Sequence, residues 1–194
     1  MKGSRLIAVA AALIALAACN KAAQQQPAAN QAAPADVGPH KGVDRSHKGA
    51  SIPDVSILDA SGKGMKARGL AGGKPLLLNL WATWCAPCVK ELPTLQAVSD
   101  RNRGALVVLP VSQDDGPQPS VAAFLKGHKL TFVAYQDPKM ALSAALGPDT
   151  VLPTTILYDA SGKEVWRYVG DLDWTSADAA RLLAEAGAAA PKTG

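Results

Sequence analysis

The chain has no second cysteine pair, no basic run and no apolar stretch long enough to cross a bilayer. Its 194 residues include three cysteines, at positions 19, 85 and 88, and three histidines. A zinc site needs about four ligands, and Cys85 and Cys88 have neither a second pair nor a nearby histidine to complete one. Lysine and arginine nowhere cluster or interleave with aromatics, so nucleic acid is not implied as a partner. The formal net charge is +4, and Lys2 and Arg5 belong to a segment expected to be removed, so the basic pI carries little weight. The longest apolar run, Leu6 to Ala18, has thirteen residues, where a spanning helix needs about 20. Nearly half of the residues, 48%, are hydrophobic, enough for a real core.

What is present begins with an export signal. Met1 to Arg5 is a short basic start, and the apolar run ends in Leu16-Ala17-Ala18-Cys19. That pattern matches a bacterial lipobox, in which a peptidase cuts before the cysteine and its thiol takes a diacylglycerol. The competing reading is an ordinary Ala-x-Ala cleavage site with Cys19 incidental. Residues 1–18 are expected to be a lipoprotein signal peptide. Residues 19–51 are expected to be the acylated cysteine and a flexible tether, since Ala, Gln, Asn, Pro, Gly and Lys dominate and large apolar residues are nearly missing. Such a tether spans about 30 Å r.m.s.. His40 and His47 lie in it within two His-Lys-Gly triplets and read as incidental rather than as a metal site. Residues 52–187 are expected to form the folded domain and 188–194 a flexible tail.

Within the domain, Val55–Leu58 is a short strand followed by the turn Asp59-Ala60-Ser61-Gly62. Pro75 to Trp81 is a nearly continuous apolar run, a central strand buried on both faces. Residues 86–102 read as a helix with Pro87 in its first turn and Pro93 kinking it. Further strands are expected at Ala105–Val111, Thr131–Tyr135, Thr154–Tyr158 and Glu164–Val169, and helices at Ser120–His128, Pro138–Leu146 and Thr175–Ala186, the last with a Thr or Ser cap. Asp-Ala-Ser-Gly-Lys occurs at 59–63 and again at 159–163. The similarity is too short for a repeat architecture and reads as two similar turns. The alternation implies an α/β sandwich with parallel and antiparallel strands.

Trp84-Cys85-Ala86-Pro87-Cys88 carries the chemistry. Cysteines at i and i+3 on a first helical turn share a face and lie close enough to bond. At the helix start, free backbone N–H groups and the dipole favour a thiolate on Cys85, the attacking sulfur. Cys88, more enclosed, resolves the mixed disulfide. The bland alternatives are a zinc half-site, which lacks partners, and a structural disulfide, which would constrain only a two-residue loop. No cofactor is expected beyond this redox dithiol, and no metal.

Asn79-Leu80-Trp81-Ala82-Thr83-Trp84-Cys85-Ala86-Pro87-Cys88, continued by Val89-Lys90-Glu91-Leu92-Pro93, resembles the TlpA/ResA family of thioredoxin-fold proteins. Leu152-Pro153-Thr154-Thr155 is similar to that family's second signature, whose proline has a cis peptide bond. Val111 to Thr150 resembles the β–α insertion that these proteins carry relative to plain thioredoxin. The resemblance covers residues 52–187. It implies a thioredoxin-like sandwich, a mixed central sheet flanked by helices, and reduction of disulfides in the periplasm. Clients would be cytochrome c apoproteins or other disulfide-containing envelope proteins, with electrons from a membrane-embedded thiol donor and attachment to the membrane by lipid. Pro153 would face the Cys85–Cys88 pair, and the Leu152 backbone would pair with a client strand. Plain thioredoxins carry a buried Asp where Asn79 stands. An amide cannot take the resolving thiol's proton, and Glu91, one turn past Cys88, is the possible substitute acceptor, against the reading that it is a solvated helix charge. Trp81 and Trp84 are expected to pack the site. A disulfide-introducing oxidant and a copper-binding chaperone of the same fold are the alternatives. The copper proteins use a CxxxC pair plus a histidine, and no peroxidase pattern surrounds a lone cysteine.

Overall fold

Six successive residues from Leu76 to Trp81 form a strand, and each of them is buried. Both faces of that strand are covered, which is why its sequence does not alternate. Leu76, Leu78 and Leu80 enter one core cluster, while Leu77 and Trp81 enter the other. Every part of the fold that positions chemistry is arranged around this strand.

The structure, a computed structural model, describes residues 41–148 and 150–187. The expected leader, Cys19, His40, most of the tether and the tail 188–194 lie outside the described residues. Numbered in chain order, the elements are β1 (Gly42–Asp44), β2 (Ser56–Leu58), β3 (Gly64–Lys66), α1 (Ala67–Ala71), β4 (Leu76–Trp81), α2 (Ala86–Arg101), β5 (Val107–Ser112), α3 (Gln118–Gly127), β6 (Tyr135–Gln136), α4 (Ala141–Leu146), β7 (Thr154–Tyr158), β8 (Glu164–Val169) and α5 (Ala177–Ala184). One eight-stranded sheet runs β1-β8-β7-β4-β5-β6-β2-β3. The β4/β5 and β5/β6 pairs are parallel, and the others are antiparallel. The mixed α/β sandwich expected from the sequence is the architecture found. Residues of α2, α3 and α5 fill the cluster containing Leu77 and Trp81, and residues of α1 and α4 fill the cluster on the other face.

The two Asp-Ala-Ser-Gly-Lys strings make the same turn. Asp59 accepts from Ser61 N and Oγ and from Lys63 N, and Asp159 accepts from Ser161 and Lys163 in the same way. One joins β2 to β3 and the other joins β7 to β8.

Three sequence expectations need correction. Residues 41–51, assigned to the tether, are ordered. Gly42, Val43 and Asp44 pair with Val169, Tyr168 and Arg167 of β8, and ion pairs Lys41–Asp171 and Arg45–Glu185 flank the strand. The order comes from backbone pairing to a sheet edge, which composition does not register. The strand expected at 131–135 shrinks to Tyr135–Gln136, because the Ala134 carbonyl bonds the Gln118 side chain instead of a strand. The helix expected from Pro138 begins at Ala141. Met140 has a left-handed backbone, φ 51°, and the Asp137 carboxylate caps the N–H groups of Ala141 and Leu142.

Candidate active site

The chain leaves β4 at Trp81, makes a short turn, and enters α2 at Cys85. Cys85 is the N-cap, with extended backbone, and its Sγ accepts the Cys88 N–H at 3.3 Å. A free N–H at a helix start is the donor that stabilises negative charge on that sulfur once it is reduced. Ala86 and Pro87 fill the first positions of the helix, where a proline costs no hydrogen bond. The two sulfurs are bonded at 2.03 Å, with Cα atoms 5.3 Å apart. Cys85 keeps 6% of its surface exposed and Cys88 keeps none. Of the two, Cys85 is the one that retains any exposure. Pro93 lies inside α2, which runs through it to Arg101.

Glu91 is not a solvated charge. It is 2% exposed, on the turn of α2 after Cys88. Its Oε1 accepts from Asn79 Nδ2 at 2.8 Å, and its Oε2 accepts from Trp174 Nε1 at 3.0 Å and from Leu172 N at 3.2 Å. Burial pushes its pKa up to about 7, while the three donors pull the other way and nearby Asp171 adds to the rise. A carboxyl with that value is poised to take and return a proton near neutrality. A cleft of about 200 Å³, lined by Lys90, Glu91, Thr94, Asp171, Leu172 and Asp173, opens beside it.

Asn79 is buried in the middle of β4, joined to Glu91 and to Thr155 Oγ1 of β7 at 2.9 Å. Trp81 is buried and packs on Phe124, with ring centroids 5.7 Å apart. Trp84 departs from expectation. It is 68% exposed, because it sits on the turn outside the sheet, and it stands beside Cys85 as an apolar surface rather than packing the site. The Leu152–Pro153 bond is cis. Thr154 pairs with Leu80, so the antiparallel register carries Pro153 to the level of Trp81, the end of the sheet from which the cysteine turn departs. Leu152 is half-buried against both core clusters.

Several contributors lie outside the sequence expectations. Asp114 accepts from Thr83 N at 3.0 Å, Thr83 Oγ1 at 2.6 Å and Ser112 Oγ at 2.5 Å, and so ties the turn carrying Trp84 and Cys85 to the end of β5. The one hint in the sequence is its place at the carboxyl end of a parallel strand, where such sheets build sites. Trp174 and Leu172 hold Glu91 from some 80 residues away, beyond the reach of local pattern. Among the described residues no group of three or more His, Cys, Asp or Glu is placed to hold a metal ion.

A helix-capping Cys-x-x-Cys disulfide beside the central strand of a mixed sheet, with a cis-proline at the same sheet end, defines a thioredoxin-fold thiol–disulfide oxidoreductase. Residues 47–183 match the Redoxin family. Thiol-disulfide oxidoreductase ResA of Bacillus cereus is 31% identical over 125 residues, covering 63% of this chain and 70% of that protein. Thioredoxin-like protein YneN of Bacillus subtilis is 32% identical over 117 residues, 59% of this chain and 67% of that one. Among solved structures, a candidate thiol:disulfide interchange protein DsbE from Chlorobium tepidum superposes with a TM-score of 0.63 at 26% identity, covering 72% of this chain and 98% of its own. The chain belongs to the Redoxin family, as a thiol–disulfide oxidoreductase of the ResA/TlpA type.

Proposed function

We propose that this oxidoreductase works as a dithiol reductant in the cell envelope, facing the periplasm and held to the membrane by lipid on Cys19. The observation that carries the exchange chemistry is the asymmetry of the pair, with Cys85 capping the helix and slightly exposed, Cys88 fully enclosed, and the buried Glu91 on the next helical turn, while the direction toward reduction follows the resemblance to the TlpA/ResA family. In the reduced protein the Cys85 thiolate attacks a client disulfide. A Cys85–client S–S bond forms as the client bond breaks, and one client sulfur leaves as a thiolate that takes up a proton. Cys88 then loses its proton to Glu91 and attacks Cys85. The Cys85–Cys88 bond forms, the second client sulfur leaves, and two electrons have passed to the client. Clients are disulfide-containing envelope proteins, cytochrome c apoproteins among them. A membrane-embedded thiol donor restores the dithiol, and no cofactor beyond the two cysteines takes part. Pro153 lines the approach to Cys85, and the Leu152 backbone offers the client strand its pairing edge.

The Cys85–Cys88 reduction potential, measured against glutathione or dithiothreitol, tests the direction. A reductant has a value near that of thioredoxin, about −270 mV, whereas a value near about −120 mV is that of a strong oxidant and would reverse the reading. The anchor is tested separately. Globomycin, or Cys19→Ser, should leave an unprocessed or soluble form, and an unmodified N-terminus elsewhere than Cys19 would remove the lipid.

A further inference from the structure

Asn79 has more polar capacity than its surroundings use. Its side chain is fully buried, and its amino group is committed to Glu91 Oε1 and to Thr155 Oγ1. Its Oδ1 is buried and has no partner among the described residues. A carboxamide offers two donor hydrogens and two acceptor lone pairs, so this orientation satisfies one half of the group and orphans the other. The orientation suits an ionised Glu91, which can only accept. It does not suit a protonated one. Glu91 Oε2 already faces the N–H groups of Trp174 and Leu172, so an added proton resides on Oε1, where it meets the Asn79 amino group donor to donor. Turning the amide over removes the donor–donor contact at Oε1. Oδ1 then accepts the Glu91 proton, and Thr155, whose hydroxyl both accepts and donates, donates to the same oxygen.

We propose that Asn79 is a two-position amide that follows the charge of Glu91, with Nδ2 toward Oε1 when the acid is ionised and Oδ1 toward Oε1 when it is protonated. One buried pocket thereby holds both states of the acid. The inference rests on the reading of Glu91 as acceptor of the Cys88 proton and adds a positioning residue to it. When Cys88 gives its proton to Oε1, the thiol becomes a thiolate, the carboxylate becomes a neutral acid, and no electrons change hands. The amide turns with that transfer and turns back when the proton leaves. An Asp at 79 would set a second negative charge against Glu91, and a Leu would leave Oε1 without a donor.

The other charged or titratable groups on the elements around Glu91 are Lys90 and, one turn earlier, Cys88 on α2, Asp171 and Asp173 before α5, Lys41 before β1, and Tyr168 of β8, whose ring packs on Trp174. Asp171 is paired to Lys41 at 2.7 Å and lies 3.9 Å from Lys90. Hydrogen bonding to Lys41 holds its carboxyl below the usual range, so its charge is constant near neutrality. In the oxidised protein Cys88 does not titrate, and Glu91 is left as the group that changes.

The test is NMR on the full-length oxidised protein. The Asn79 side-chain amide pair, assigned by its loss in Asn79→Leu, is followed with the Glu91 carboxyl carbon from pH 5 to 9. The two are expected to share one midpoint. In Glu91→Gln, whose amino group donates to Oδ1 as the protonated acid would, the Asn79 pair should stay at its wild-type acid-limit position at every pH. Asn79→Asp and Asn79→Leu should each raise the Glu91 midpoint by about one pH unit, the first through like-charge repulsion and the second through a lost charge-assisted donor. Amide signals that stay flat through the Glu91 midpoint would overturn the proposal, as would a Glu91→Gln spectrum resembling the alkaline limit. A merely structural Asn79 would lose stability on substitution without moving that midpoint. The pH slope of the reduction potential separates the two readings. Titrating Asn79 signals with no change of slope at the Glu91 midpoint would keep the amide switch and remove the redox role of Glu91.

Discussion

Glu91 and Trp84 are the residues whose sequence context misleads most. Glu91 stands among helix residues where a charge is ordinarily solvated, and its burial follows from Trp174 and Leu172, which no local period announces. Trp84 looks like core and is surface. Each leads to an expected outcome. The Glu91 pKa is raised in the fold, so between pH 4.5 and about 7 the folded state binds more protons than the unfolded one. Its contribution to stability is therefore fully present below pH 4.5 and is lost as pH rises through about 7, by about 3 kcal/mol in all. Urea unfolding of the oxidised protein across that range should show the fall, and Glu91→Gln should flatten it. Equal slopes for both proteins would mean that Glu91 is ionised throughout. Trp84→Ala should change stability by less than about 0.5 kcal/mol, since the ring is on the surface. Turnover of a protein disulfide should drop several-fold while reduction of a small disulfide is unchanged, because only a large client covers the exposed ring. Equal losses on both substrates would place the effect of Trp84 on Cys85 itself.

Elements with a dense hydrophobic pattern are legible in the sequence, and most short ones are not, β2 being the exception. The apolar runs at 76–81 and 154–158 give β4 and β7, and Pro87 after Cys85 marks the start of α2. By contrast β1, β3 and α1 have three to five residues each, and they owe their order to neighbours across the sheet rather than to propensity. The turn between β4 and α2 belongs with them. Its residues are identifiable, but its tether to Asp114 is a tertiary contact. Asp114→Ala leaves Thr83 N–H and its hydroxyl without their acceptor, at a cost of about 1–3 kcal/mol. The same change should speed alkylation of Cys85 in the reduced protein by loosening the turn that carries it. Unchanged stability together with an unchanged alkylation rate would show that Ser112 and solvent replace the carboxylate without penalty.

At the scale of the molecule, the sandwich and the cysteine pair are legible in the residues, through the alternation of strands with helices and the Cys-x-x-Cys spacing, while the insertion between β5 and β7 is expected from the resemblance to the TlpA/ResA family. The start of the ordered domain is not. A chain beginning at Ile52 lacks β1, its ladder to β8 and the Lys41–Asp171 pair. It should melt several degrees below one beginning at Lys41. Identical melting temperatures would make β1 a passenger on the sheet edge.

The division of labour proposed for the pair has Cys85 attack clients and Cys88 release them. It is tested by recovering Cys88→Ala and Cys85→Ala proteins from an acid-quenched envelope fraction on non-reducing gels. Removing Cys88 stops the exchange after the Cys85–client bond has formed, and removing Cys85 stops it before any bond forms. Dithiothreitol-sensitive adducts are expected on the Cys88→Ala protein alone. Adducts of equal strength on both variants, or on Cys85→Ala alone, would contradict that division of labour.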